Sequence, residues 1–162
     1  MFRKNTTTWI DITPLNTAKV TNMGMMFSRS EATSLDFSGF DTSRVTDMHA
    51  MFSYIKQIDL DLSSFDTSNV TDMGSMFYAI PVVELDLSSF DTSNVTNMNA
   101  MFSESASLSF IYVSDLWDTS NVTTSDYMFS GATHVPNFSS DYVDKTRAHY
   151  NTNGYLTYKA HS

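Results

Sequence analysis

The chain has no cysteine, which excludes disulfides, thiolate metal sites and thiol nucleophiles, and leaves the redox compartment unwritten. Basic residues are scarce. Nine Lys and Arg stand against eighteen Asp and Glu, and none lies between Lys56 and Lys145, a stretch that carries thirteen acids. A phosphate-binding surface needs clustered cations, so nucleic acid is not an expected partner. No apolar run approaches the roughly eighteen residues of a membrane span. The first ten residues hold a basic pair, Arg3 and Lys4, but no apolar stretch of signal-peptide length, so neither membrane insertion nor secretion is encoded in these residues. Hydrophobic residues, at 41% of 162 with 14% aromatic, are ample for one continuous core.

What the sequence has in abundance is repetition. The block Leu-Asp-Leu-Ser-Ser-Phe-Asp-Thr-Ser-Asn-Val-Thr occurs unchanged from Leu60 to Thr71 and from Leu85 to Thr96, twenty-five residues apart. A near copy starts at Leu35 and a decayed one at Ile10 in the same register, and a fifth, stretched by two residues, runs through Trp117 to Thr123 and ends in Met128-Phe129. A period of this length marks a solenoid, in which each unit buries its apolar face by stacking on its neighbours. The expectation is one domain over 1–162, with an N-terminal edge at 1–9, five repeats over 10–136 and a C-terminal cap over 137–162.

Within a unit, Leu60-Asp61-Leu62-Ser63 alternates apolar and polar, the period of a strand with one buried face. Asp66-Thr67-Ser68-Asn69 favours a turn, because short polar side chains bond their own backbone. Val70, Met73, Met76 and Phe77 then fall at i, i+3, i+6 and i+7, which predicts a helix of about two turns. The expected fold is therefore an α/β repeat solenoid with a parallel sheet on one side and short helices on the other, which the resemblance given below makes leucine-rich-repeat-like. Nine of the eleven methionines fall in two columns, Met23, Met48, Met73, Met98 and Met26, Met51, Met76, Met101, Met128, beside a phenylalanine column from Phe27 to Phe129. Columns at this spacing are core. At the far end, residues 139–150 read as a capping helix, followed by a turn at Gly154 and a short strand at Tyr155 to Tyr158. An open first unit would expose strand edge and core, which invites oligomerisation or docking onto a larger assembly.

The polar positions of the sheet face form columns: Asp11, Asp36, Asp61, Asp86, and beside them Thr13, Ser38, Ser63, Ser88. Carboxylates about 5 Å apart repel by roughly 1 kcal/mol in water. Three readings are open: solvated side chains bonded to the adjacent Ser and Thr, contact with a partner protein or glycan, or a calcium ion, which oxygen-only ligands would favour. The apolar insertion Phe110-Ile111-Tyr112-Val113 continues the core, with an exposed Tyr112 as a contact anchor in the other reading. Histidines 49, 134, 149 and 161 fall in no repeated column and at no metal-ligand spacing, and no nucleophile and base stand together. The chain reads as no enzyme, with no metal site or cofactor; calcium-assisted cleavage of acidic glycans is the remote alternative.

The motif Leu-Asp-Leu-Ser-Ser-Phe-Asp-Thr-Ser-Asn-Val-Thr-Asp-Met-x-x-Met-Phe closely resembles the BspA-like leucine-rich-repeat surface proteins of bacteria, over about Ile10 to Thr157. Members of that family usually carry a cysteine three residues after the Phe, where this chain has Ser30, Ile55, Ile80, Ser105 and Ala132. The resemblance implies a surface-displayed adhesion or binding module that engages host proteins, glycans or other cells, at the cell surface or outside it. It implies no catalytic residues. Similar repeats in bacterial viruses supply the alternative, a virion surface, fibre or decoration component with a receptor-binding or assembly role.

Overall fold

Residues 4, 6, 8, 10–56 and 59–161 are described by a computed structural model. In it, amides and carbonyls 24 to 26 residues apart meet along the chain. Met23, Met48, Met73 and Met98 each donate a backbone N–H to the carbonyl of Asp47, Asp72, Asn97 and Thr124, at 2.9, 2.9, 3.0 and 2.8 Å. Parallel bridges join the same column, Asn22 to Asp47, Asp72, Asn97 and Thr124. Successive segments of the repeat thus lie in register as stacked coils. Their interior is the expected one: Phe52, Phe77, Phe102 and Phe129 are fully buried, and neighbouring rings of that column stack at 5.8, 5.9 and 5.4 Å. Met26 alone of the two methionine columns is only partly buried.

The α/β solenoid with a sheet on one side and helices on the other is overturned. Among the described residues there is no α-helix, and the sheet consists of three short parallel strands in the order β1 (Glu84–Asp86), β2 (Phe110–Val113), β3 (Thr157–Tyr158). Ring spacing explains why helices are absent. Helices pack with axes about 8–10 Å apart, whereas these coils advance by less than 6 Å at Phe77 and Phe102. A helix in each coil would force its neighbours apart.

The segment read as helical instead divides its amides between two tasks. Met73, Ser75, Phe77 and Ala79 donate to the next coil, to the carbonyls of Asn97, Asn99, Met101 and Ser103 at 2.8–3.0 Å, while Met76 and Tyr78 close turns onto Met73 and Ser75 at 3.1 Å. Ser75 and Ala79 take left-handed backbone conformations, φ 55° and 53°, and Ala50, Tyr54, Ala100 and Glu104 do the same in the coils on either side. The inward methionines and phenylalanine therefore mimic helical spacing while their backbone bonds outward along the stack.

This geometry reverses the expected sign of one substitution. In a helix, Ala100→Gly costs about 1 kcal/mol. At φ 52° a Cβ carries a penalty of roughly 1–2 kcal/mol that glycine lacks, offset in part by the greater freedom of an unfolded glycine. Ala100→Gly is expected to leave the chemical-denaturation midpoint unchanged or raise it, and a clear fall would favour the helical reading.

At the far end the expected helix over 139–150 reduces to a 3-10 turn at Lys145–Arg147, capped by Asp144, whose side chain accepts the Thr146 amide at 2.9 Å. The rest of that backbone is committed elsewhere. Ser139 exchanges two hydrogen bonds with the phenol of fully buried Tyr155, at 2.9 and 3.0 Å, and Val143 accepts the Phe129 amide at 2.8 Å. Tyr155 meets Phe129 edge-on at 5.1 Å, and Trp117 donates its indole N–H to the Ala148 carbonyl at 3.1 Å, so this segment closes the core. Most of the expected N-terminal edge, 1–9, lies outside the described residues; within it the Lys4 amide donates to Ser28 and the Thr8 carbonyl accepts from Thr33.

Candidate functional site

Alternation of burial sets up the site. Leu60 and Leu62 point into the core and Asp61 and Ser63 out of it, and the same holds at Leu85, Leu87 and their polar neighbours. Each outward Asp then folds onto the residue two ahead. Oδ1 of Asp11, Asp36, Asp61 and Asp86 accepts the backbone N–H of Thr13, Ser38, Ser63 and Ser88 at 2.9–3.0 Å, and the hydroxyls of Thr13 and Ser63 add bonds of 2.7 and 2.6 Å. These are Asx turns, so the local role of the column is structural first. The turn residues Asp41, Asp66 and Asp118, at the same place in their repeats, behave alike, accepting the amides of Ser43, Ser68 and Ser120 at 2.7–3.0 Å, although no helix follows them.

Hydrogen bonds of this kind favour the ionised carboxylate. Ser38 holds Asp36 below the ordinary carboxylate range, and Ser63 does so for Asp61 against desolvation and the like charges of Asp36 and Asp86. At Asp86 burial pushes upward, but Lys159 and Ser88 together outweigh it. A carboxyl whose folded pKa is depressed stabilises the fold above its unfolded value, near 3.9, and loses that contribution as pH falls through the folded pKa. Asp41, Asp118 and Asp144 shift in the same direction. Melting temperature is therefore expected to be level from about pH 7 to 5 and to fall below about pH 4; a loss already complete by pH 5 would contradict these bonds.

Two adjoining grooves run along the column. One of about 110 Å³ lies between Asp36 with Ser38 and Asp61 with Ser63. The other, of about 260 Å³, lies between Asp61 with Ser63 and Asp86 with Ser88, and is closed on its far side by Lys159 and His161. The Lys159 ammonium pairs with Oδ2 of Asp86 and stands 5.8 Å from the centre of the Tyr112 ring. Tyr112 is the register partner of Asp86 across β1 and β2, and its phenol donates to Glu84 at 3.3 Å. Beside it Phe110, 41% exposed, stacks on Tyr112 at 6.1 Å with rings 10° from parallel. Ile111 and Val113 turn inward and are buried.

Of the residues expected to bind, the structure thus gathers Asp36, Asp61, Asp86, Ser38, Ser63, Ser88 and Tyr112 along one face. Asp11 and Thr13 pair with each other and line neither groove. Sequence reasoning missed Lys159, His161, Glu84 and Phe110. Nothing local says that Lys159 points outward or that β3 lies beside β2. Among the described residues no three His, Asp or Glu come together so as to hold a metal ion, and no helix is long and apolar enough to cross a membrane.

The family described as Mycoplasma protein of unknown function, DUF285, matches residues 1–110 and again 82–155. The chain belongs to this family. DUF285 is the family of the BspA-like repeat surface proteins, so the resemblance carried by the repeated motif stands at family level. No curated protein and no solved structure matches the chain.

Proposed function

We propose that this chain is a non-catalytic, surface-displayed binding module that recognises a protein or glycan on another surface through the Asp36–Asp61–Asp86 face. One observation carries the reading: an acidic, hydroxyl-lined groove stands beside an aromatic pair, exposed Phe110 and half-buried Tyr112, with Lys159 set between them. Carboxylates and serines that already form turns keep further acceptor capacity. Aromatic rings of limited flexibility supply contact area at little entropic cost. Recognition, rather than reaction, is what such a set offers, because no group in it is paired as nucleophile and base. Membership of a family of surface proteins supports display at a cell surface.

The test is a panel of glycans and matrix proteins offered to the wild-type chain and to a variant carrying Asp36→Ala, Asp61→Ala and Tyr112→Ala, each with calcium and with chelator. Removing an aromatic anchor costs about 2 kcal/mol or more at an interface hot spot, so affinity is expected to fall at least roughly 30-fold. Chelator should make no difference. A variant that stays folded and binds every ligand as the wild type does would sink the assignment, and chelator sensitivity would bring in the cation.

A further inference from the structure

A second surface breaks the repeat pattern, on the turn side of the coils. The residues Lys4, Arg29, Tyr54, Ala79 and Glu104 form one column, since each donates its amide to the neighbouring coil, at Ser28, Ser53, Tyr78, Ser103 and Ser130. All five take φ between 53° and 60°. Glycine meets that conformation most easily, and Gly131 occupies the corresponding place in the last coil. A tyrosine there is a costly choice for backbone reasons alone, so its side chain is the feature that needs explaining.

That side chain is the centre of a cluster. The Arg29 guanidinium carbon lies 4.2 Å from the centre of the Tyr54 ring, and Tyr54 meets Tyr78 at 5.1 Å. Among the described residues, neither Arg29 nor Lys4 has a carboxylate within ion-pair distance, in a chain where acids outnumber bases two to one. A guanidinium held over a ring by its carbon leaves N–H donors free for a further partner. A depression of about 270 Å³ lies beside this cluster, bordered by Ser28, Ser53 and Ser75. Local charge agrees: residues 1–56 hold six Lys and Arg against five Asp and Glu, whereas the rest of the chain holds three against thirteen.

We infer that Arg29, Tyr54 and Tyr78 form a binding site for an acidic sugar residue of a glycan, separate from the Asp36–Asp61–Asp86 face. The sugar carboxylate takes two parallel hydrogen bonds from Arg29, the geometry in which guanidinium and carboxylate match. The apolar C–H face of the ring lies on Tyr78, and its hydroxyls face Ser75. A polyanion of nucleic-acid charge density is disfavoured by the acidic remainder of the molecule, but a single carboxylate per sugar at the basic end is not.

The test titrates the full chain with a tetragalacturonate and with a neutral galactose tetrasaccharide, following amide chemical shifts. The acidic sugar is expected to bind saturably, with the neutral one at least about tenfold weaker, as loss of a charge-assisted pair implies. Arg29→Gln and Tyr78→Ala should each weaken binding about tenfold or more, while Asp36→Ala and Asp61→Ala together should not. Equal affinity for the two sugars, no saturation by about 10 mM, or indifference to both Arg29→Gln and Tyr78→Ala would overturn the inference. Failure here leaves the acidic face untouched, because the two sites share no residue.

Discussion

Phe77→Ala is expected to destabilise the fold by about 3–5 kcal/mol, the range for deleting a buried aromatic ring, and to lower Tm by roughly 6–20 °C. Phe77 is fully buried between Phe52 and Phe102, with ring centres 5.8 and 5.9 Å away and planes within 13° and 3° of parallel. Each such pair adds about 0.5–1.5 kcal/mol beyond the area it buries, and an alanine forfeits two of them. Collapse cannot fill the space. The Phe77 amide is tied to Met101 at 3.0 Å and its carbonyl accepts from the buried Ser105 hydroxyl at 2.8 Å, so the backbone on both sides is held at coil spacing. Urea unfolding monitored by near-ultraviolet dichroism reads the loss. A change below about 1 kcal/mol would mean that the stack closes over the cavity, contrary to this packing.

Thr92→Val is the second large effect, about 2–4 kcal/mol, and it comes from almost no change in shape. Thr92 is fully buried, and its hydroxyl donates to the Asp118 carbonyl at 2.8 Å while accepting the Asp118 amide at 2.7 Å. One hydroxyl thus satisfies both backbone groups of a residue in the next coil. Valine leaves both without that partner, and each group so orphaned in this part-buried bridge costs about 1–2 kcal/mol. Thr42 does the same for Asp66. The contrast is Thr96→Val: Thr96 is exposed and, among the described residues, its hydroxyl donates to the Thr71 carbonyl at 3.2 Å, so the change should stay within about 0.5 kcal/mol. Equal effects at the two threonines would remove the buried bridge from the account.

Those threonines also show where the sequence was legible and where it was not. The Asp-Thr-Ser segment announces a turn, and the Asp carboxylates do bond the residue two ahead. That Thr92 points inward to serve another coil is invisible, since a threonine beside two polar turn residues looks like one more of them. The inward set of leucines, methionines and phenylalanines was readable from its spacing, because burial depends on which side chains are apolar and hardly on the backbone that carries them. Helix against stacked turn was not readable from the same spacing. Val70, Met73, Met76 and Phe77 satisfy a helical stripe, and what decides against it is the distance between coils, a property of neighbours rather than of the segment. Left-handed residues such as Tyr54 and Ala79 carry no glycine to announce them.

The candidate face divides in the same way. Asp36, Asp61 and Asp86 recur with the period, so their alignment follows from the repeat. Lys159 reaches Asp86 from seventy-three residues away, through a strand whose place in the sheet no local pattern specifies. Tyr112 was legible only as a departure from the period, and its partner Phe110, expected inside, lies 41% exposed because β2 puts residues 110 and 112 on the outer face together.

The most direct test of the binding-face assignment is an amide chemical-shift map of the labelled chain saturated with a protein or uncharged glycan that the panel returns. The account predicts that the shifts concentrate at Ser38, Asp61, Ser63, Asp86, Ser88, Tyr112 and Lys159, and that they vanish in the variant lacking Asp36, Asp61 and Tyr112. Shifts confined to the ends of the stack, or to the turn ridge at Arg29 and Tyr54, with the acidic face silent, would contradict it.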